Sequence, residues 1–220
     1  GEANLLLDLQ NGLVFNSKNI RYRVLEGEVE MLDNKTIAGY NRVRGWVARY
    51  FYYMIVFDRP YTVKKELPQE EGEKAKRFIL EFDLKEGESV QVKVALSTVG
   101  IEGAKMALDK ENPGWNFESI KAETNGKWND VLSLAEVEGT EEEKMNFYTS
   151  MYHLFIQPTN IADIDGKYRG ANDSIFVSST GYYYSTFSLW DTYRNVHQLL
   201  TLVYPERQME MVRTMLDMYR

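Results

Sequence analysis

Apolar and polar positions alternate with a period of two through the first part of the chain, then shift to a helical period beyond about Val99. The alternating part predicts short strands at Leu5–Leu9, Ile20–Leu25, Glu28–Leu32, Thr36–Tyr40, Val47–Phe57, Arg77–Asp83 and Ser89–Leu96, separated by Gly, Asn and Asp. The Glu26-Gly27 step reads as a hairpin, Asp33-Asn34-Lys35 as a short turn, and Lys85-Glu86-Gly87-Glu88 as the link between the last two strands. Many short antiparallel strands in succession predict a β-sandwich.

In the helical part, Ile101, Ala104, Met106 and Leu108 open a short helix that stops near Asn112-Pro113-Gly114. A second helix is expected over Phe117 to Glu136. The third has a defined start: Thr140 and Glu143 form a capping box, and Met145, Tyr148, Met151, Tyr152 and Phe155 follow on one face until Pro158. Asn160 to Asp173 reads as a polar loop and Ile175 to Phe187 as an extended, tyrosine-rich segment. Two helices close the chain, Leu189 to Val203 and Glu206 to Tyr219, parted by Pro205. The last is still amphipathic at Met215, Leu216 and Tyr219, which predicts that the chain is a piece of a longer protein, with Gly1 a cloning remnant. The fold class expected is therefore α+β.

Charge and composition narrow the function. With 26 basic and 33 acidic residues the net charge is −7, so no electrostatic nucleic-acid partner is expected. No apolar run approaches the roughly 20 residues of a membrane span, and Gly1 to Leu9 lacks a signal-peptide layout. The absence of Cys excludes thiolate nucleophiles and disulfides, and His153 and His197 alone leave little for a histidine-rich metal site. Fifteen Tyr, ten Phe and four Trp suit a thick core or a surface that stacks on sugar rings.

Candidate chemistry concentrates in Tyr182 to Arg194. Ser188 lies three residues before Asp191, which fits a helix N-cap with an acid in the first turn. It equally fits a sugar site, with Asp191 gripping hydroxyls beside the Trp190 indole and Arg194 one turn on. Asp163, Asp165 and Gly166 suggest a calcium loop, but Lys167 and Ser174 occupy positions where an EF-hand needs oxygen ligands. A tight turn at Gly166, with Asp side chains bonding backbone N–H groups, is expected there instead. His153 reads as a buried, satisfied histidine, and His197 lies two turns after Trp190. Asn34-Lys35-Thr36 and Asn172-Asp173-Ser174 match the N-glycosylation pattern, and the acidic runs read as solvated charges. No phosphate loop, H-E-x-x-H or G-x-S-x-G motif is present.

Three collinear stretches resemble glycoside hydrolase family 92, the calcium-dependent, inverting exo-α-mannosidases. They are M-N-F-Y-T-S-M-Y-H-L-F-I-Q-P (Met145 to Pro158), D-I-D-G-K-Y-R-G (Asp163 to Gly170) and Y-Y-S-T-F-S-L-W-D-T-Y-R (Tyr183 to Arg194). The segments A-N-L-L-L-D-L-Q and I-A-G-Y-N-R-V-R-G-W-V-A-R-Y (Ile37 to Tyr50) are similar to the second half of that family's N-terminal sandwich. The resemblance implies the C-terminal part of the sandwich over 1–99, a helical linker over 100–158, and the truncated start of an (α/α)6 catalytic barrel over 159–220. The family's active site lies between sandwich and barrel.

It further implies that Asp191 hydrogen-bonds hydroxyls of the terminal mannose and that Trp190 shapes that subsite, with Arg194, Tyr193 and His197 as weaker supports. Gln198 departs from the family, which commonly has proline after the histidine. An inverting glycosidase uses an acid and a base about 6.5 to 9.5 Å apart; the family's acid glutamate and base aspartates are expected beyond Arg220. The fragment is thus expected to be inactive. The family's calcium, which binds mannose hydroxyls and helps distort the ring, is expected in the parent and not on this fragment, for which no metal-ligating residue is assigned.

The expected partners are α-mannosides such as N-glycans or mannan. Self-association through truncated edges, and a periplasmic, cell-surface or secreted location in a bacterium, are also expected. The alternatives are a non-catalytic carbohydrate-binding or structural module and a different (α/α)6 enzyme, phosphorylase-like or glucosidase-like.

Overall fold

Phe78, Leu80 and Phe82 recur at every second position, alternating with Arg77, Ile79, Glu81 and Asp83, so a strand carrying them turns one apolar face inward. In the computed structural model, which describes residues 2–11, 23–45, 47–185 and 187–219, the chain forms two compact units, Gly1–Trp115 and Asn116–Arg220.

The first unit holds two antiparallel sheets. One has the order β1-β6-β5, from β1 (Glu2–Asp8), β5 (Thr62–Glu66) and β6 (Arg77–Asp83). The other has the order β2-β3-β4-β7, from β2 (Arg23–Met31), β3 (Thr36–Arg44), β4 (Ala48–Phe57) and β7 (Val92–Ser97). Ile37, Tyr53, Ile55 and Phe57 of the four-stranded sheet meet Phe78, Leu80 and Phe82 of the other, with Tyr61, in one buried cluster. The outer face of the four-stranded sheet packs Ala38, Met54 and Ala95 against Ala104 of α1 (Ile101–Glu111).

The Glu26-Gly27 hairpin does not form. β2 runs straight through it, with a bulge between Val24 and Glu26, and Gly27 pairs with Asn41 of β3. A two-residue hairpin turn needs positive φ, which Gly27 does not take; its missing side chain instead makes room for Asn41 Oδ1, 2.5 Å from where a Cβ would sit. The turn at Asp33-Asn34-Lys35 forms as expected, the Asp33 carboxylate accepting from the Lys35 N–H at 2.6 Å. The start of the expected strand at Ile20 lies outside the described residues, as do Trp46 and Thr186 of the motifs above. β5 carries no alternation of burial, every residue being exposed, and so left no signal.

β7 inverts the usual pattern. Val92, Val94 and Leu96 share the core-facing side with Phe57, Ile55 and Tyr53, yet are exposed, while Lys93, Ala95 and Ser97 are buried. Lys93 is held at the C-terminal end of α1: its amine donates to the Asn112 carbonyl at 2.8 Å and the Pro113 carbonyl at 3.3 Å, and lies 4.2 Å from the Trp115 ring centroid. Those carbonyls are the negative end of the helix, which makes a buried ammonium tolerable there.

The second unit contains α2 (Phe117–Leu132), α3 (Glu141–Ile156), a small hairpin of β8 (Lys167–Arg169) and β9 (Ile175–Val177), α4 (Leu189–Thr192), α5 (Val196–Val203) and α6 (Pro205–Tyr219). The capping box at α3 is complete: Thr140 Oγ1 accepts from the Glu143 N–H, and the Glu143 carboxylate accepts from the Thr140 N–H at 2.8 Å. His153 is a correction, because it stands exposed on α3 with its ring against Tyr152 rather than buried. The helix read as continuous from Leu189 breaks at 193–195, and the second helix stops at Leu132 rather than Glu136. The core here is Tyr184, Leu200 and Met211, flanked by Leu154, Phe155, Phe187, Val196 and Tyr204.

Candidate functional site

The four residues singled out as sugar-binding lie around the α4–α5 turn. Ser188 occupies the N-cap of α4 through its backbone, its carbonyl accepting from the Asp191 and Thr192 N–H groups at 3.1 and 3.2 Å, while its side chain makes no cap bond. Four residues make too short a helix to build a strong terminal field, so the capping explanation for Asp191 is weak. Trp190 is 79% exposed and Asp191 is also exposed, with no side-chain hydrogen bond or ion pair among the described residues. The pair therefore presents a bare indole and an unengaged carboxylate side by side.

Arg194 folds onto its neighbour, Nε donating to the Tyr193 hydroxyl at 3.2 Å and Cζ lying 5.7 Å from that ring's centroid. His197 is half-buried and engaged on both nitrogens: Nε2 lies 2.8 Å from Thr192 Oγ1 and Nδ1 lies 3.0 Å from Gln208 Oε1. Phe187 packs against its ring. His197 thus fastens α4 to α6, whereas Trp190 and Asp191 face outward. Gln198 donates to the Tyr193 carbonyl at 3.0 Å, an explicit use for the amide at the position where proline was expected.

Below this surface lies an arrangement that the sequence reading missed. Arg207 donates through Nη1 to the Tyr184 hydroxyl at 2.6 Å and through Nη2 to the Pro158 carbonyl at 3.2 Å. The Tyr184 hydroxyl donates to Glu210, and the Tyr184 N–H donates to Thr214 Oγ1 at 3.3 Å. Burial first, then the hydrogen bond to the Glu210 carboxylate, pushes the Tyr184 phenol well above its ordinary range. The only local hint was Arg207 and Glu210 three apart on one helix face, which fits any solvated helix equally well.

Asp163 and Asp165 belong to a turn, as expected. Gly166 takes φ 80°, the Asp163 carbonyl accepts from its N–H at 2.8 Å, and Asp165 Oδ1 accepts from the Lys167 N–H at 3.1 Å. The Lys167 ammonium, 2.7 Å from Asp165, pulls that carboxyl below its usual range. Among the described residues no group of three or more His, Cys, Asp or Glu side chains is placed to hold a metal ion. A concave pocket of about 260 Å³, walled by Trp128, Phe155, Tyr204, Lys127 and Arg207, lies in the same unit, and none of the four candidate residues lines it.

Two family models match the chain in sequence order, the glycosyl hydrolase family 92 N-terminal domain over residues 1–97 and the glycosyl hydrolase family 92 catalytic domain over 103–220. Among solved structures the chain is similar to the family GH92 alpha-mannosidase BT3965 from Bacteroides thetaiotaomicron, with a TM-score of 0.80 and 30% identity over 90% of this chain and 29% of that one. It shares its fold with the GH92 family glycosyl hydrolase ccman5, at TM-score 0.83 and 23% identity over 98% of this chain and 30% of that one. It also shares its fold with the GH92 inverting mannosidase BT2199 from Bacteroides thetaiotaomicron VPI-5482, at TM-score 0.72 and 23% identity over 82% and 26%. The chain spans under a third of the length of these structures. No curated protein matches it.

Proposed function

We propose, because the chain belongs to glycosyl hydrolase family 92, that it is part of an enzyme which removes terminal α-linked mannose from glycans, N-glycans or mannan, by hydrolysis with inversion. The observation that supports this most is the 30% identity to a solved α-mannosidase along 90% of the chain. That protein has also been solved with mannoimidazole, which favours a mannoside as the ligand class here.

In this reading Asp191 and Trp190 form part of the sugar subsite. An ionised carboxylate accepts hydrogen bonds from two neighbouring hydroxyls, and an indole face covers the C–H side of a pyranose. Arg194, fixed on Tyr193, supplies a cationic wall, and His197 sets the α4–α5 turn through Thr192 and Gln208. Both carboxyl groups that inversion requires, and the calcium, are assigned to parts of the parent outside these residues, so the fragment alone is inactive. Placement of the parent in the periplasm, at the cell surface or outside the cell belongs to the same proposal; no helix among the described residues is long and apolar enough to cross a membrane.

The test is proton NMR of the full-length parent acting on an α-mannobioside, with calcium and then with chelator. Initial β-mannose that vanishes with chelator is the expected result. No mannose released from any α-linkage by folded, calcium-loaded parent would favour a non-catalytic sugar-binding module instead.

A further inference from the structure

α4 carries Trp190 and Asp191 but is built too sparely to hold them by itself. It is one turn long, its N-cap side chain makes no cap bond, and Leu189, Trp190 and Asp191 are all exposed. A lone turn of helix is unstable in water, because it fixes several backbone dihedrals for a single hydrogen bond. Of the four residues of α4, Thr192 alone is partly withdrawn from solvent. What fixes Thr192 therefore fixes how Asp191 is presented.

Thr192 is held by a relay that ends on another helix. Its Oγ1 lies 2.8 Å from His197 Nε2 and 3.1 Å from the Ser188 carbonyl oxygen, to which it can donate. His197 Nδ1 lies 3.0 Å from Oε1 of Gln208, a half-buried residue in the first turn of α6. An amide oxygen only accepts, so it calls for the proton on Nδ1, and in the neutral ring this leaves Nε2 as an acceptor. The threonine hydroxyl has one proton for two acceptors, and Nε2 takes it. The Ser188 carbonyl is then left to the Asp191 and Thr192 N–H groups, at 3.1 and 3.2 Å.

Without an acceptor at position 208 nothing selects that tautomer. The other one puts the proton on Nε2, turns the Thr192 hydroxyl onto Ser188, and makes it a third donor to the carbonyl that anchors the Asp191 backbone. We propose that Gln208 is a positioning residue for Asp191: its amide oxygen sets the His197 tautomer, and the tautomer acts on α4 through Thr192. The inference rests on the reading of Asp191 as a ligand for mannose hydroxyls. Arg207 and Glu210, neighbours of Gln208 on α6, are committed to Tyr184. One end of α6 thus secures the core through that pair and the proposed subsite through Gln208.

The test is kcat/KM of the full-length parent on an α-mannobioside, with folding of each variant verified by circular dichroism. Gln208→Met keeps the side-chain length and helix propensity but lacks the acceptor. It should lower kcat/KM by about threefold to tenfold, the worth of one ordinary hydrogen bond. Gln208→Glu keeps an oxygen for Nδ1 and should recover most of that loss. Thr192→Val cuts the relay at its other end and should reproduce the loss.

The double variant Asp191→Ala/Gln208→Met separates positioning from mere packing. With Asp191 already gone, Gln208→Met should cost less than about twofold more, whereas an independent packing defect would multiply in full. Unchanged kcat/KM in Gln208→Met or Thr192→Val, no recovery in Gln208→Glu, or a full further loss in the double variant would each overturn the relay and leave the subsite reading standing. Asp191→Ala with undiminished kcat/KM would overturn the subsite reading, and the relay with it.

Discussion

Arg207 holds Tyr184 in two ways at once, Nη1 donating to the phenolic oxygen at 2.6 Å while Cζ lies 4.3 Å from the ring centroid. The hydroxyl donates its own hydrogen bond to the Glu210 carboxylate, and the ring sits fully buried beside Leu200 and Met211. Tyr184 is therefore both the polar and the apolar centre of the second unit. Removing its hydroxyl leaves Arg207 and Glu210 with a buried gap between them, so Tyr184→Phe should destabilise that unit by about 1–3 kcal/mol in urea unfolding.

The same burial sets an alkaline limit. Tyr53, whose hydroxyl donates to the Glu28 carbonyl at 3.0 Å, and Tyr184 both have phenols raised above the ordinary value of 10.0, in each case chiefly by burial. A raised folded-state value favours the protonated form in the native protein, so the stabilisation is complete below about pH 10 and disappears as pH climbs beyond it. Unfolding midpoints should fall steeply above that point, and Tyr53→Phe should flatten the fall in the first unit. An identical slope in wild type and variant would exclude Tyr53 as its source.

At α3 the sign is reversed. The Thr140 N–H and then its hydroxyl hold the Glu143 carboxyl below its usual range. A depressed value stabilises above about pH 4.5 and is lost as pH falls through the folded value. Helicity followed by circular dichroism should thus drop on acidification, and Glu143→Gln should remove that dependence. Thr140→Ala should weaken the helix by about 1 kcal/mol at neutral pH.

Gly39 of β3 pairs with Val29 of β2 on one side and Tyr53 of β4 on the other, beneath the Tyr53 phenol. A Cβ there would stand 2.1 Å from the Glu28 carbonyl oxygen and 2.5 Å from the Tyr53 hydroxyl. The first contact is backbone and cannot swing aside, so Gly39→Ala should destabilise the first unit by about 3 kcal/mol or more. Gly27→Ala, whose nearest contact is the Asn41 side chain, should be milder. A reversed order in thermal unfolding would contradict the packing described.

For the proposed sugar subsite, stability and activity should separate. Asp191→Ala touches an exposed side chain and should change unfolding by no more than about 0.5 kcal/mol. In the full-length parent it should lower kcat/KM by about tenfold to a hundredfold, the value of one charged hydrogen bond. His197→Ala should instead destabilise the fold, because Thr192 and Gln208 lose their common partner.

What could be read from the chain was set by whether a local rule decided the outcome. The capping box at Thr140, the turn at Asp33, the stop at Pro158 and the strand Arg77–Asp83 all follow from residues within a few positions of one another, and all form. The hairpin at Glu26-Gly27 failed because glycine there serves a neighbour across the sheet, Asn41, rather than a turn. β5 and the β8–β9 hairpin have too few alternating apolar residues to register. His153 was misread since an apolar helix face predicts burial only when something packs on it, and α3 buries Met151 alone. Trp190 and Asp191 were singled out through resemblance and unusual composition, and the structure shows both exposed. The Tyr184–Arg207–Glu210 cluster joins residues 23 and 26 positions apart in the chain, a relation no periodicity reports.

Lys93 gives β7 an orientation that hydrophobicity would not choose. Valine and leucine alone would turn the strand over, hiding their side chains beneath α1 and sending the amine to solvent. The Asn112 and Pro113 carbonyls and the Trp115 ring receive the ammonium only when the strand lies as observed. A single charge thus acts as the key that indexes a strand of six residues, and the greasy side chains go wherever that key leaves them. Replacing Lys93 by an uncharged residue would therefore leave only the small Ala95, packed against Ala104, to tell this strand which face meets α1.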